Sequence, residues 1–154
     1  MLNSNYIPIQ NTSHVRGLTY YSYKDMFQRE VEDYDNAINI SYPSIPDPPL
    51  LPTLPLLNYT GSYFHPAWRN LTLVLQDDAL FINRTDAVWK MTIHLTHVSG
   101  DYFMGFVNKN SGAPTFRQAL RMQFVVGSNG DVKKLGVAGE QTMGEEMLWF
   151  SRVA

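Results

Sequence analysis

The chain predicts an all-β fold, one eight-stranded antiparallel barrel preceded by an N-terminal helix and a proline-rich strap. Three observations carry this. Within the last hundred residues, five runs alternate apolar and polar side chains and three more are apolar on both faces. Turn-forming residues separate the runs, as at Gln76-Asp77-Asp78-Ala79, Ser99-Gly100-Asp101 and Asn129-Gly130. Pro43, Pro46, Pro48, Pro49, Pro52 and Pro55 precede all eight. A meander of this kind can close on itself. A closed eight-stranded barrel is just wide enough inside to be filled by side chains or to hold one small ligand. The functional question is therefore whether the interior is packing or a site.

The elements follow in order. Residues 1–21 are polar and turn-rich and read as an arm. From Ser22 a helix is expected, because Met26, Phe27, Val31, Tyr34 and Ile38 recur at helical spacing, with Ser22 or Asp25 able to cap its start. This apolar stripe is expected to dock on the barrel. The six prolines then exclude regular helix and central strand, so the segment must run extended. Leu50, Leu51, Leu54, Leu56 and Leu57 between them are expected to be buried. The domain boundaries are thus 1–57 for arm, helix and strap, and 58–154 for the barrel.

The first strand is expected from Tyr59 to Pro66 and the second from Leu71 to Leu75. The third runs from Leu80 to Arg84, with Leu80, Ile82 and Arg84 on one face. The fourth is the clearest: Trp89, Met91, Ile93, Leu95 and His97 share one face, and Lys90, Thr92, His94 and Thr96 the other. The fifth spans Tyr102–Val107. The sixth sets Phe116, Gln118, Leu120, Met122 and Phe124 against Arg117, Ala119, Arg121 and Gln123. The seventh spans Val132–Ala138. The eighth, Met147–Val153, carries Trp149 and Phe150 on opposite faces.

The totals narrow the function. At 154 residues the chain supports one domain with a core plus an appendage. A formal net charge of -2 with scattered lysines and arginines gives no footprint for nucleic acid. With no cysteine, disulfides and thiolate chemistry are excluded. No run approaches the roughly 20 apolar residues that span a bilayer. The first residues lack a signal peptide's basic start and apolar stretch, which leaves localisation open. Yet Asn11, Asn39, Asn58, Asn70 and Asn83 each head an Asn-x-Ser/Thr sequon, where chance gives roughly one or two. That excess points to secretory ancestry and to a glycoprotein.

From Leu56-Leu57-Asn58-Tyr59-Thr60-Gly61-Ser62-Tyr63-Phe64-His65-Pro66 through Ala67-Trp68-Arg69-Asn70-Leu71-Thr72-Leu73, the chain resembles the C-terminal lipocalin-like domain of fungal serine β-lactamase-related proteins. Arg84-Thr85-Asp86-Ala87-Val88-Trp89 and His97-Val98-Ser99-Gly100-Asp101-Tyr102-Phe103 extend the resemblance, which covers most of residues 22–153. It implies a lipocalin-like barrel. The hydrolases themselves act through a serine in Ser-x-x-Lys. No serine here has a lysine three residues later, and Tyr34-Asp35-Asn36, which fits a second family pattern, falls within the predicted helix. The resemblance therefore implies the barrel alone, free-standing and without the hydrolase.

Candidate chemistry lies with the polar minority on inward faces. His94 and His97 point to opposite sides of a strand and do not share a metal ion, so no metal site is expected. Arg84, His97 and Gln118 interrupt apolar stripes, and Tyr63 shares a face with His65. Each needs a partner or a ligand, because an unpaired buried polar group is costly. His97, His65 and Arg84 are the candidate catalytic residues. Tyr63, Trp68, Trp89, Tyr102, Phe116, Gln118 and Trp149 are the candidate substrate walls. Two functions fit. One is a cofactor-independent cyclase or isomerase acting on a small hydrophobic natural-product intermediate, with histidine moving a proton and arginine or glutamine stabilising an oxyanion. The alternative is a non-catalytic accessory or binding domain derived from a serine β-lactamase-like hydrolase. The expected partner is a small hydrophobic molecule, with a homodimer left open.

Overall fold

In the computed structural model of the protein the described residues are 12–84, 91–108, 118–138 and 146–153, with side chains from residue 24 onward. The chain forms two units, divided between Asp35 and Asn36.

The first unit contains helix α1, Thr12–Asp35. It begins ten residues before the predicted start, so the second half of the expected arm is helical. Of the predicted stripe, Met26 and Phe27 are 57% and 49% exposed and Tyr34 is buried.

The second unit opens with a short helix α2, Ala37–Ser41, and runs through the strap to a 3-10 turn at Leu56–Tyr59. Eight strands follow: β1 Gly61–His65, β2 Arg69–Gln76, β3 Ala79–Arg84, β4 Met91–Ser99, β5 Tyr102–Val107, β6 Ala119–Val126, β7 Val132–Ala138 and β8 Leu148–Val153. Each pairs antiparallel with its neighbour, and β1 pairs with β8, closing the barrel. The predicted fold is therefore the observed one, and β5 and β7 keep their predicted bounds.

The turns show why the meander closes. Between β2 and β3 the chain reverses in two residues, Asp77 and Asp78, both at positive φ, the twist that suits a tight hairpin. Gly130, at φ 79°, makes the β6–β7 reversal. The register slips by one residue at two places, with Val98 the extra residue in β4 and Lys133 the extra residue in β7. Bulges are favoured at barrel rims, where they bend strands inward.

Up-and-down topology gives the barrel two distinct ends. The starts of β1, β5 and β7 and the ends of β4, β6 and β8 meet at the strap end. At the opposite end lie the β1–β2 turn, the ends of β3, β5 and β7 and the starts of β4, β6 and β8. The core fills the barrel with Leu73, Leu80, Ile82, Phe103, Met122, Phe124, Leu135 and Phe150, each exposed by 2% or less. A methyl group at Gly105 would sit 2.7 Å from Met122 Cε and 2.9 Å from Ile93 Cγ2, so the middle of the barrel holds no spare methyl volume at that wall.

Candidate functional site

At the strap end, backbone and side chains are laced together. The amide of Gly100 donates to the Leu50 carbonyl at 2.8 Å, and the Leu50 amide donates to Ser99 Oγ at 3.1 Å. Thr53 donates twice to Asp101, from its amide at 3.1 Å and its hydroxyl at 2.7 Å. The fully buried Tyr59 donates its phenol to the same carboxylate and accepts from the Leu54 amide. Tyr63 donates to the Tyr59 carbonyl at 2.7 Å. Leu54 and Leu56 pack on the core, but Leu50, Leu51 and Leu57 are 62%, 85% and 64% exposed. The expectation that all five leucines are buried is thus corrected. An extended strap crossing a barrel end can turn only one side inward.

His97 belongs to this sealed end. Its face is the one predicted, shared with Ile93 and Leu95. Its Nε2 donates to the Gly100 carbonyl at 3.0 Å, and its ring meets Phe103 edge-on at 5.2 Å. Burial pushes the phenols of Tyr59 and Tyr63 up to about 12, reinforced at Tyr59 by the hydrogen bond to Asp101. Tyr63 is a core residue with a satisfied hydroxyl and presents no free polar group to a substrate.

His65 and Arg84 lie at the other end. His65 faces inward at the end of β1, with its ring 5.2 Å from Phe150, and its Nδ1 accepts from the Ala67 amide at 3.2 Å. Arg84 continues the inward face of Leu80 and Ile82. Its Nη2 donates to the Trp68 carbonyl at 3.4 Å, and its guanidinium carbon lies 6.0 Å from the centre of the Trp68 ring. Its Nε is buried without a hydrogen-bond partner among the described residues. Gln118, just before β6, is half-buried at this same end. The three candidate catalytic residues therefore do not form one constellation: His97 is separated from His65 and Arg84 by the length of the barrel.

Two aromatic candidates are also corrected. Tyr102 and Trp149 have the wrong parity for the interior, since Phe103 and Phe150 beside them fill it. Trp149 lies over Gly136 on the outer surface, where an added Cβ would come within 2.8 Å of its ring. Tyr102 meets the Tyr42 ring edge-on at 6.0 Å and lines an outer groove of about 400 Å³ with Ile45, Pro46, Leu50 and Val98. Trp89 and Phe116 lie outside the described residues. Sequence reasoning missed Tyr42, whose hydroxyl donates to the Phe103 carbonyl at 3.2 Å and whose phenol burial raises to about 12. It also missed the joint role of Tyr59 and Asp101, and nothing local in the sequence marks that pair.

A family model described as a domain of unknown function (DUF3471) matches residues 46–152. The chain belongs to the DUF3471 family. Two curated relatives share the region. Unguisins hydrolase ungD' of Aspergillus campestris is 30% identical over 132 residues, which cover 84% of this chain and 24% of that protein. Unguisins hydrolase ungD of Aspergillus violaceofuscus is 38% identical over 124 residues, covering 77% of this chain and 21% of that protein. This DUF3471 chain thus spans about a quarter or less of the length of the relatives it matches. The crystal structure of the C-terminal domain of penicillin-binding protein Rv0907 superposes with a TM-score of 0.50 at 23% identity, covering 71% of this chain and 94% of that one. It supports the barrel fold. No described helix of the DUF3471 chain is long and apolar enough to cross a membrane. The sequon asparagines Asn39, Asn58, Asn70 and Asn83 are all exposed.

Proposed function

We propose that this barrel is a non-catalytic accessory domain that works against a serine β-lactamase-like hydrolase domain. The observation that carries the reading is the separation of the candidate catalytic groups. With His97 fixed in the sealed end and His65 and Arg84 at the other, the three candidate catalytic residues do not face one common substrate volume. The relatives support it: they are named as hydrolases, and roughly three quarters of each lies outside the part this chain matches. The exposed strap leucines Leu50, Leu51 and Leu57 give the domain an apolar surface for that contact, of a kind expected at protein interfaces.

The test is to mix this chain with the part of unguisins hydrolase ungD that lies outside the match, and to measure association by analytical ultracentrifugation. Association is expected, and Leu51→Asp with Leu57→Asp is expected to weaken it. If the two remain separate at high micromolar concentration, the accessory reading fails.

A second reading keeps the cyclase or isomerase. It rests on His65 and Arg84 sharing one end of the barrel. On this reading His65 moves the proton, Arg84 stabilises developing negative charge, and His97 takes no part.

A further inference from the structure

We infer that the end of the barrel opposite the strap holds a carboxylate-binding subsite built on Arg84, which takes a small monocarboxylate with a short apolar body. The inference is independent of whether the domain assists a hydrolase.

The guanidinium is where a carboxylate would need it. Arg84 ends β3 on the inward face, and it reaches across to the β1–β2 turn. One Nη is occupied by the Trp68 carbonyl at the long distance of 3.4 Å, and Nε is buried without a partner. Among the described residues no carboxylate pairs with it; the ion pair there is Lys133 with Asp131, at the strap end. A guanidinium presents Nε–H and an Nη–H as a planar fork that matches the two oxygens of a carboxylate. Nε left unsatisfied is half of that fork. Burying it without an acceptor costs free energy that a ligand oxygen would return.

The surroundings supply orientation. The Trp68 ring, with its centre 6.0 Å from the guanidinium carbon, lies at the edge of cation–π range. Trp68 is in turn set by the turn that ends at Arg69, which has φ 62°, a left-handed conformation that a non-glycine residue adopts only when its neighbours impose it. His65 adds a second donor at this end. Its Nδ1 accepts the Ala67 amide proton, so in the neutral ring the hydrogen sits on Nε2. Met91, opposite Arg84 in the register, and Phe150 beside His65 offer apolar contact. Deeper in, Ile82 and Tyr63 are fully buried and leave no path for a long tail. The ligand body is therefore short.

The probes are hexanoate, hexanol and acetate, titrated into the full chain by isothermal calorimetry. Hexanoate is expected to bind saturably, with acetate weaker for lack of the apolar body. Hexanol should be weaker for lack of the charge. Arg84→Gln is expected to weaken hexanoate by roughly ten- to hundredfold, the range of a lost charge-assisted hydrogen bond, and to leave hexanol unchanged. Because that variant removes a partly buried side chain, a second readout uses the unaltered protein. The Arg84 Nε–Hε resonance, assigned by its loss in Arg84→Lys, is expected to shift on adding hexanoate but not hexanol. The inference is overturned if hexanoate does not bind, if it binds no better than hexanol, or if the resonances that move are those of Tyr42 and Tyr102 in the outer groove. None of these results bears on association with a hydrolase domain, which is measured without the probes.

Discussion

Tyr59 donates its phenolic proton to Asp101 across 42 residues of sequence. With that bond the strap stops being a linker. Asp101 sits in the β4–β5 turn and also accepts twice from Thr53, while its own carbonyl accepts from the Phe124 amide at 2.9 Å. One carboxylate thereby joins the strap, the 3-10 turn and the strand reversal. Tyr59 continues the joint inward, with its ring centre 4.8 Å from that of Phe124 and 5.8 Å from that of Phe103.

Breaking this joint has a defined cost. Tyr59→Phe removes one hydrogen bond to a charged group and orphans the Leu54 amide, so a loss of about 1.5–3 kcal/mol is expected. Asp101→Asn should cost a similar amount. The double variant should lose less than the sum, because both substitutions remove the same bond. Urea denaturation of the four proteins measures it, and strict additivity would show that the two residues act independently.

Alkaline pH addresses the same end by another route. Tyr59, Tyr63 and Tyr42 all have phenols raised to about 12, chiefly by burial. The folded protein holds these protons to higher pH than the unfolded chain, whose tyrosines titrate near 10. Their contribution to stability is therefore complete below about pH 10 and is lost as pH rises from there through about 12. The urea midpoint is expected to fall in that window. Phenolate absorbance should show late-titrating tyrosines, fewer by one in Tyr63→Phe. A titration in which no tyrosine lags would contradict the buried placement.

The filled interior makes its own prediction. Phe124 touches the rings of Tyr59, Tyr63 and Phe103 and is 2% exposed. Phe124→Ala should cost about 3–5 kcal/mol, the range for deleting a buried phenyl ring. Gly105→Ala should cost less, about 1–3 kcal/mol, because Met122 can swing its terminal methyl aside while the contact with Ile93 remains. If Phe124→Ala is nearly neutral, the barrel is not packed around that ring.

Much of this was legible in the residues and some was not. The alternation in β4 and β6 placed Ile93, Leu95, Leu120, Met122 and Phe124 inward, where they are, because a strand's faces follow strictly from parity. The same parity argument puts Trp149 outside. Only its size recommends it as a ligand wall. The helix α1 starts at Thr12 because nothing between Pro8 and Pro43 forbids a helix; its first turns simply carry no apolar stripe to announce it. The exposed strap leucines were misread because composition reports apolar character, whereas burial depends on which side of an extended segment meets the barrel. The Arg84 face was predicted, but the Trp68 carbonyl it reaches is a consequence of the β1–β2 turn, and the register of that turn is not written in either residue.

The two histidines separate structure from function. His97 donates to the Gly100 carbonyl within the turn that also anchors Leu50, and its ring supports Phe103. Removing it leaves a carbonyl unpartnered and a gap beside a core ring, so His97→Ala should lower stability by about 1–3 kcal/mol. His65 sits at the opposite end, partly exposed, with one backbone amide as its partner. His65→Ala should change stability less, because the freed amide lies in an exposed turn that water can reach. Ligand behaviour should divide the other way. Hexanoate binding should weaken in His65→Ala and stay unchanged in His97→Ala. On the cyclase reading, product formation should likewise fall with His65 and not with His97. The decisive comparison is both variants in both assays, thermal or urea unfolding and calorimetric titration. If His97→Ala loses ligand binding while its unfolding midpoint is unchanged, the sealed end is the site and the assignment of roles to the two ends is reversed.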